Sequence, residues 1–152
     1  MSVEENKARV RRWFTETVTG RVEVSTLLRE LDETFAPTFV DHDGPDPEHG
    51  RDALKKTLPG LLQACPDAKL TIEHLIGEGD YLAMRVRGEA THTGELLGRP
   101  PTGRRITWTE NEIFRLEGGQ IAESWGEGTL HEALATIGLS FREASVPRGN
   151  PF

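Results

Sequence analysis

The stretch HTGELLGRPPTGRR, residues 92–105, joins two segments in which apolar and polar residues alternate. Alternation with a period of two is typical of β-strands, because successive side chains point to opposite faces of a sheet. The first segment covers residues 81–92 and the second covers residues 106–116. The two prolines of the stretch stiffen the connection and Gly103 supplies a turn. We therefore predict two long strands whose register this connection holds.

Two glycine-rich turns extend the pattern in both directions along the chain. Residues 77–80, GEGD, separate an apolar-rich segment at 70–76 from the strand that begins at residue 81. Residues 117–120, EGGQ, separate the 106–116 strand from a segment at 121–128. Short turns of this kind between alternating segments predict antiparallel hairpins.

The remaining patterns predict helices. Apolar residues recur at helical spacing, with Ser25 as the N-cap candidate of the second helix and Pro37 as its end. Residues 39–43 are predicted to be extended, and the Gly/Pro-rich residues 44–50 to form a loop at a pocket rim. The predicted helices cover residues 4–19, 25–35, 51–64 with a kink at Pro59-Gly60, and 130–137. Helices followed by antiparallel strands imply an α+β domain, with helices over one face of a curved sheet that encloses a pocket.

Length, charge and cysteine content limit the functions to consider. The 152 residues are most economically one domain, here 1–140, with a poorly structured C-terminal tail at 141–152. A net charge of −7 without a dense Lys/Arg block argues against nucleic acid as a partner. No segment has the length and apolarity of a membrane span or a secretory signal, and Cys65 is the single cysteine. We therefore expect a cytoplasmic protein with no membrane partner.

Two carboxylates are predicted on one face of the 106–116 strand. Trp108, Glu110, Glu112 and Phe114 share that face by alternation. If the face lines a cavity, burial and mutual repulsion would keep one carboxyl protonated near neutrality and create an acid and a base. The alternative is that the face is solvated or packed at a dimer interface, where glutamates need no unusual pKa.

The triplet Asp41-His42-Asp43 is a second candidate for acid–base chemistry. A carboxylate can orient an imidazole whose ordinary pKa lies near neutrality. Adjacent residues of a regular strand point in opposite directions, so either His42 or the two aspartates would face the cavity. A loop-capping role for the aspartates is the alternative.

Other polar and aromatic residues are candidates for the pocket lining. His74 and His92 lie on consecutive predicted strands, where a structural hydrogen bond is the alternative role. The five histidines form no tight metal motif such as H-x-x-x-H, and no phosphate loop or dinucleotide fingerprint occurs, so we predict neither metal nor nucleotide cofactor. The predicted pocket residues are Trp13, His74, Met84, His92, Trp108 and Ser124.

The order of these segments resembles that of SnoaL-like polyketide cyclases, in the ketosteroid-isomerase superfamily. The resemblance is carried by residues 92–105, by the turn EGGQ and the following IAESW at 121–125, by FVDHD at 39–43, and by LATIGL at 134–139. It implies a cone-shaped barrel with a ligand cavity under the N-terminal helices. It also implies acid–base catalysis without cofactors on polycyclic polyketide esters, and a homodimer formed through the outer face of the sheet.

The chain departs from this family at its acidic residue. Gapless alignment places the family's catalytic aspartate on Gly126 and a pocket histidine on Glu112. Our leading hypothesis is a cofactor-independent enzyme for cyclisation, isomerisation, dehydration or epoxide opening of an apolar polyketide-like molecule in natural-product biosynthesis. Glu112 would be its acid or base, with the complement from Glu110 or the Asp41/His42 segment. The alternatives are a non-catalytic ligand-binding or dimerisation domain and, third, a cofactor-free oxygenase.

Overall fold

The computed structural model describes residues 1–139, and the predicted tail at 141–152 lies outside the described residues. Residues 1–139 contain four α-helices and a mixed sheet of five strands that does not close into a complete barrel. The strand order is β1-β5-β4-β3-β2, with β1 parallel to β5 and every other pair antiparallel. The helices pack on one face, called here the inner face. The predicted α+β fold is confirmed.

The first predicted helix is divided in two. Helix α1 spans Val3–Arg12 and begins with a capping box in which Ser2 and Glu5 satisfy each other's backbone N–H groups. A π-helical turn, Trp13–Thr17, follows, with the Val18 N–H donating to the Trp13 carbonyl at 2.9 Å. Such wide turns insert a residue and rotate the side chains after it. Trp13 and Phe14, the first two residues of this turn, both face the inner side of the sheet, where their rings contact those of Phe35 and Phe114.

The end of the second predicted helix is wrong. Helix α2 spans Val24–Thr34, its N-cap is Glu23 rather than Ser25, and strand β1, Phe35–Asp41, begins directly after it. Pro37 therefore lies within a strand. This is possible because β1 is an edge strand, and its pairing with β5 is interrupted between Phe35 and Val40, where no ladder donor is needed.

The remaining elements agree with the predicted pattern to within a few residues. Helix α3 contains Pro59, and a short 3₁₀ turn, Pro47–His49, precedes it. The bounds are α3 Gly50–Ala64, β2 Lys69–Glu78, β3 Tyr81–Thr91, β4 Arg105–Glu117, β5 Gln120–Gly128 and α4 Leu130–Ala135. The predicted order of helices first and strands afterwards is inexact, because β1 precedes α3.

Candidate active site

A cavity of about 310 Å³ lies between the helices and the inner face of the sheet. Most of its lining is apolar, contributed by the π-helical turn, α3, α4 and the inward residues of the strands. The polar side chains in the lining are those of Asp41, Glu110, Glu112 and Ser124. They come from three neighbouring strands, β1, β5 and β4, so the acidic groups lie together at one end of an apolar chamber.

Glycines on β5 make room for the two glutamates of β4. Glu112 is the cross-strand partner of Gly126, and Glu110 is the partner of Gly128. A Cβ atom placed on Gly126 would lie 2.6 Å from Glu112 Oε2, and one on Gly128 would lie 2.5 Å from Glu110 Oε2. Real atoms do not approach so closely. Each carboxylate therefore occupies the volume in which a side chain of β5 would begin.

The environment of Glu112 favours its neutral form. Burial, together with the negative charges of Glu110, Asp41 and Asp43, raises the pKa of Glu112 to about 8. No hydrogen-bond donor to its carboxylate is found within residues 1–139. A carboxyl group in apolar surroundings beside other carboxylates holds its proton at neutral pH, because ionisation costs solvation and adds repulsion. The Glu112 carboxyl group therefore favours its protonated form at neutral pH.

Glu110 and Asp41 are stabilised by hydrogen bonds that Glu112 lacks. Burial raises the pKa of each, but Glu110 accepts the backbone N–H of Leu130 at 2.8 Å, which lowers its pKa in part. Asp41 accepts the backbone N–H of Asp43 at 3.2 Å and the Ser124 hydroxyl at 3.4 Å, with the same effect. Donors of this kind favour the ionised carboxylate. The site therefore combines a neutral acid with two neighbours better suited to carry charge.

Asp43 extends the acidic end beyond the cavity lining. Its Oδ2 accepts the backbone N–H of Gly126 at 2.8 Å, so it ties the loop after β1 to β5 directly beneath Glu112. Its side chain is exposed, yet its charge contributes to the raised pKa of both glutamates on β4. The spacing of the Asp41-His42-Asp43 triplet was the only sequence signal for this role.

His42 lies outside the cavity. Its ring stacks on Trp125 at a centroid distance of 4.6 Å, and its Nε2 lies 3.2 Å from Glu123 Oε1. Glu123 also accepts a short hydrogen bond from Arg115. Strand alternation explains the placement, since Asp41 faces the inner side of the sheet and His42 faces the outer side. The sequence left this choice open, and the structure brings the aspartate, not the histidine, to the carboxylates.

Three predicted pocket residues are not in the lining. His74 is exposed on β2, where the pairing with β3 shifts register between Ile72 and His74 and turns the histidine outward. Met84 is buried in the main core beneath the cavity. His92 is fully buried and its Nδ1 is held by the Thr102 hydroxyl and backbone N–H, which anchors the β3–β4 connection. These hydrogen bonds support a structural role for His92, which the sequence left open as the alternative to a place in the pocket lining.

The other predicted lining residues do face the cavity, together with several that sequence reasoning missed. Trp13, Trp108 and Ser124 are in the lining. The Trp108 indole lies over Gly88 of β3, its cross-strand partner, where a Cβ would be 2.1 Å away. The lining residues that were not singled out include Leu54, Leu58, Leu61, Cys65, Leu130 and Leu134. They are helical apolar residues, and periodicity alone does not separate a cavity wall from a filled core.

The described residues contain neither a metal-binding cluster nor a membrane-spanning helix. In residues 1–139, no group of three or more His, Cys, Asp or Glu side chains has an arrangement that would hold a metal ion. Over the same range, no helix has both the length and the apolarity needed to cross a membrane.

The fold and the cavity together define the class of protein. It is a small cone-shaped α+β domain in which helices and a curved sheet enclose an apolar pocket with acidic groups at one end. The family model of SnoaL-like polyketide cyclases matches residues 4–135, and the chain belongs to this family. The resemblance recognised in the sequence is thereby confirmed.

Solved structures agree with this assignment. The chain is similar to AclR, a putative hydroxylase from Streptomyces galilaeus, with 28% identity over 97% of this chain and 87% of that one, at a TM-score of 0.67. It is similar to IdmH, a putative polyketide cyclase from Streptomyces antibioticus, with 26% identity over 88% and 99% of the two chains and a TM-score of 0.66. A comparison with curated protein sequences finds no match.

Proposed function

We propose that this protein is a cofactor-independent acid–base enzyme that acts on an apolar, polyketide-like small molecule by cyclisation, isomerisation, dehydration or epoxide opening. The observation that supports it most is the buried Glu112 at the acidic end of the apolar cavity, with its pKa raised to about 8. Perturbed carboxyl groups in apolar pockets are typical of sites for proton transfer. Family membership supports the same class of substrate.

The proposed chemistry divides two proton transfers between neighbouring carboxyl groups. For an aldol cyclisation, an ionised Glu110 or Asp41 removes a proton from a carbon next to a carbonyl of the bound substrate. The resulting enolate carbon attacks a second carbonyl of the same molecule, and Glu112 gives its proton to the oxygen of that carbonyl. One carbon–carbon bond forms and the substrate is isomerised. Solvent then returns a proton to Glu112 and takes one from the base.

The carboxylate spacing suits this division. Glu110 and Glu112 lie two residues apart on one strand, which separates their backbones by about 7 Å along β4. That spacing lets a donor and a base contact different atoms of one substrate. An apolar chamber strengthens both hydrogen bonds, because water is excluded from around them.

The proposal is tested by turnover in the Glu112→Gln variant. Candidate substrates are polycyclic β-ketoesters, epoxides and hydroxyketones, assayed by product mass and isomer separation. We expect a rate loss of about 10²–10⁴-fold, typical of a missing acid–base group. Glu127→Gln is the matched control, because Glu127 is an exposed glutamate of β5 beside Gly126 and faces the outer side. Equal rates in the wild type and Glu112→Gln would remove Glu112 from the mechanism.

A hydroxylase is the second candidate, favoured by the similarity to AclR. In this case the carboxylate base would form a substrate carbanion that bonds to molecular oxygen and takes a proton from solvent, giving a hydroperoxide. An external thiol would then reduce the hydroperoxide to the alcohol, with the second oxygen atom leaving as water and the thiol oxidised to a disulfide. Turnover under ¹⁸O₂ separates the two proposals. Incorporation of the label into product would support hydroxylation, whereas oxygen-independent turnover with unlabelled product would support cyclisation or isomerisation. Ligand binding without turnover of any substrate would instead favour the non-catalytic binding domain.

We also propose that the protein works as a cytoplasmic homodimer. A row of apolar side chains crosses the outer face of the sheet in register: Ile76, Ala83, Ile113 and Trp125. Ile76 and Ile113 are 66% and 48% exposed, which is unusual for isoleucine in a monomer. A second copy of this chain would cover this row.

A further inference from the structure

The two carboxylates that could serve as the base, Glu110 and Asp41, differ in how fully the protein already uses their oxygens. Asp41 Oδ1 accepts both the Asp43 N–H at 3.2 Å and the Ser124 hydroxyl at 3.4 Å. Burial raises the pKa of Asp41, and these donors, with the Gly44 N–H as a third, oppose the rise. A carboxylate with several donors is a weaker base, because each hydrogen bond stabilises its ionised form. These bonds tie Asp41 to the turn after β1 and to β5.

Glu110 keeps one oxygen of its carboxylate uncommitted. Its Oε1 accepts the Leu130 N–H at 2.8 Å. Its Oε2 accepts no hydrogen bond from residues 1–139 and is not sealed from water. Oε2 lies over Gly128 of β5, where a Cβ atom would be 2.5 Å away, and Glu110 lines the cavity. One oxygen therefore anchors this carboxylate while the other is available to a substrate proton.

The N–H group that anchors Glu110 is placed by Thr129, the residue between β5 and α4. The Thr129 N–H donates to the Thr109 carbonyl at 2.9 Å, and Thr129 Oγ1 accepts the Thr109 N–H at 3.1 Å. An N-cap threonine ordinarily accepts an N–H of its own helix, but Thr129 forms no such cap on α4. Its side chain instead attaches the start of α4 to the β4 residue that precedes Glu110. This attachment directs the Leu130 N–H at Glu110.

We propose that Glu110, rather than Asp41, is the general base of this site, and that Thr129 is the positioning residue that fixes its carboxylate. Glu110 Oε2 takes a proton from a substrate carbon next to a carbonyl. The C–H bond breaks, an O–H bond forms on Glu110, and the electron pair passes into the enolate. This inference rests on the proposed function in that the cavity binds a substrate with such a C–H bond.

The surroundings of Glu110 decide the sign of the pH effect. Burial raises the pKa of Glu110 and the Leu130 N–H lowers it. Its neighbour Glu112 lies two residues along β4, and the charged groups that act on Glu110 from other elements are His131, Asp43 and Glu132. Loss of the Leu130 hydrogen bond would therefore raise the pKa of Glu110. A base works only when ionised, so the acidic limb of its pH–rate profile would then move to higher pH.

Proton abstraction is tested by hydrogen–deuterium exchange of 2-tetralone, a bicyclic ketone with acidic protons next to its carbonyl. The full chain is incubated with this ketone in D₂O, and ¹H NMR follows the loss of the α-proton signal. We expect Glu110→Gln to lower the protein-dependent exchange rate by about 10²-fold or more, and Asp41→Asn to lower it by less than about tenfold. Glu127→Gln, an exposed glutamate variant, is the matched control and should keep the wild-type rate. An Asp41→Asn loss as large as that of Glu110→Gln, or wild-type exchange no faster than in buffer, would overturn the assignment.

The role of Thr129 is tested by the pH dependence of the same exchange. Thr129→Val keeps the shape of the side chain and removes the Oγ1 acceptor, whereas Thr129→Ser retains the acceptor. We expect the acidic limb of Thr129→Val to move up by about 0.5 pH unit or more, with an equal rise in the Glu110 midpoint of a carboxyl ¹³C titration. Thr129→Ser should keep the wild-type limb. A Thr129→Val limb and midpoint that stay in place, or a Thr129→Ser profile equal to that of Thr129→Val, would overturn the positioning role.

A failure of this inference and a failure of the proposed function give different results. Exchange of an α-proton needs the base but forms no carbon–carbon bond. Exchange that depends on Glu110, in a protein that converts none of the candidate substrates, would support the base and contradict the proposed turnover. Turnover that depends on Glu112 and not on Glu110 would overturn only the base.

Discussion

The carboxylate of Glu112 on β4 occupies the volume in which a side chain of Gly126 on β5 would begin, with 2.6 Å between Glu112 Oε2 and a Cβ built on Gly126. The family resemblance of the sequence implies a catalytic aspartate at the position of residue 126. We propose that the acidic group of this chain reaches the same part of the cavity from the neighbouring strand. Because residue 126 is a glycine, there is room for the longer glutamate side chain of β4.

This relationship predicts strong coupling between residues 112 and 126. Gly126→Ala should lower the free energy of unfolding by about 1–3 kcal/mol, because the new methyl group overlaps the Glu112 carboxyl. In the Glu112→Ala background the same change should be neutral or stabilising. Urea denaturation of the four proteins measures the coupling, which we expect to be at least about 1 kcal/mol.

The control for this cycle is Gly60→Ala in α3. A Cβ at residue 60 meets no atom within 4 Å, so alanine should stabilise the helix by up to about 1 kcal/mol in either background. Additive effects of Gly126→Ala and Glu112→Ala would contradict the overlap.

The raised pKa of Glu112 predicts a specific pH dependence of stability. The folded state keeps the Glu112 proton up to a pH of about 8, whereas the unfolded state releases it near pH 4.5. The wild type should therefore lose stability as pH rises through this interval. Glu112→Gln lacks this loss, so it should gain roughly 2–4 kcal/mol relative to the wild type between about pH 5 and pH 8.

Chemical denaturation at several pH values measures this difference. Glu127→Gln should follow the wild type throughout, because Glu127 is exposed. A constant difference between Glu112→Gln and the wild type at every pH would mean that Glu112 is ionised in the folded protein.

Turnover should depend on the same proton. Because Glu112 donates only when neutral, kcat/KM should fall as pH rises above about 8. Asp43→Asn removes a charge that helps to raise the pKa of Glu112, while the amide oxygen can still accept the Gly126 N–H. The alkaline limb of its pH–rate profile should therefore move to lower pH. If Asp43→Asn lowered the rate but left the alkaline limb at the same pH, the loss would be structural and the predicted effect of Asp43 on the pKa of Glu112 would be contradicted.

The proposed dimer is tested at Ile113. Ile113→Asp places a charge in the middle of the apolar row on the outer face, between Ala83 and Trp125. Light scattering should give twice the chain mass for the wild type and the monomer mass for the variant. A wild type that is monomeric at micromolar concentration would contradict the proposal.

Strand β4 shows how much of the fold the sequence predicts. Its alternation predicted its boundaries within one residue and placed Trp108, Glu110, Glu112 and Phe114 on one face, which is the cavity face. The end of α2 was not predicted, because Phe35 keeps the helical spacing of Leu28 and Leu31 although it begins a strand. Local periodicity carries no information about the pairing of β1 with β5. This pairing makes the backbone extended from Phe35 onward.

The site was predictable where alternation applies and not where register irregularities intervene. The shift between Ile72 and His74 turned His74 outward, and no residue pattern announces it. His92 was similarly ambiguous, because its hydrogen bonds to Thr102 depend on how the connection folds back. The packing of Glu112 over Gly126 could not be predicted, because it depends on the register between β4 and β5. The sequence indicated only that residue 126 lacks the acidic side chain that the family resemblance implies there.

The proposed mechanism requires Glu112 to be neutral at pH 7 in the folded protein. The most direct measurement is a carboxyl ¹³C NMR titration, with the Glu112 resonance assigned by its loss in Glu112→Gln. We predict a titration midpoint near pH 8, far above the ordinary glutamate value of 4.5. A midpoint near 4.5 would contradict the proposed mechanism, because Glu112 would then be ionised and unable to donate a proton at neutral pH.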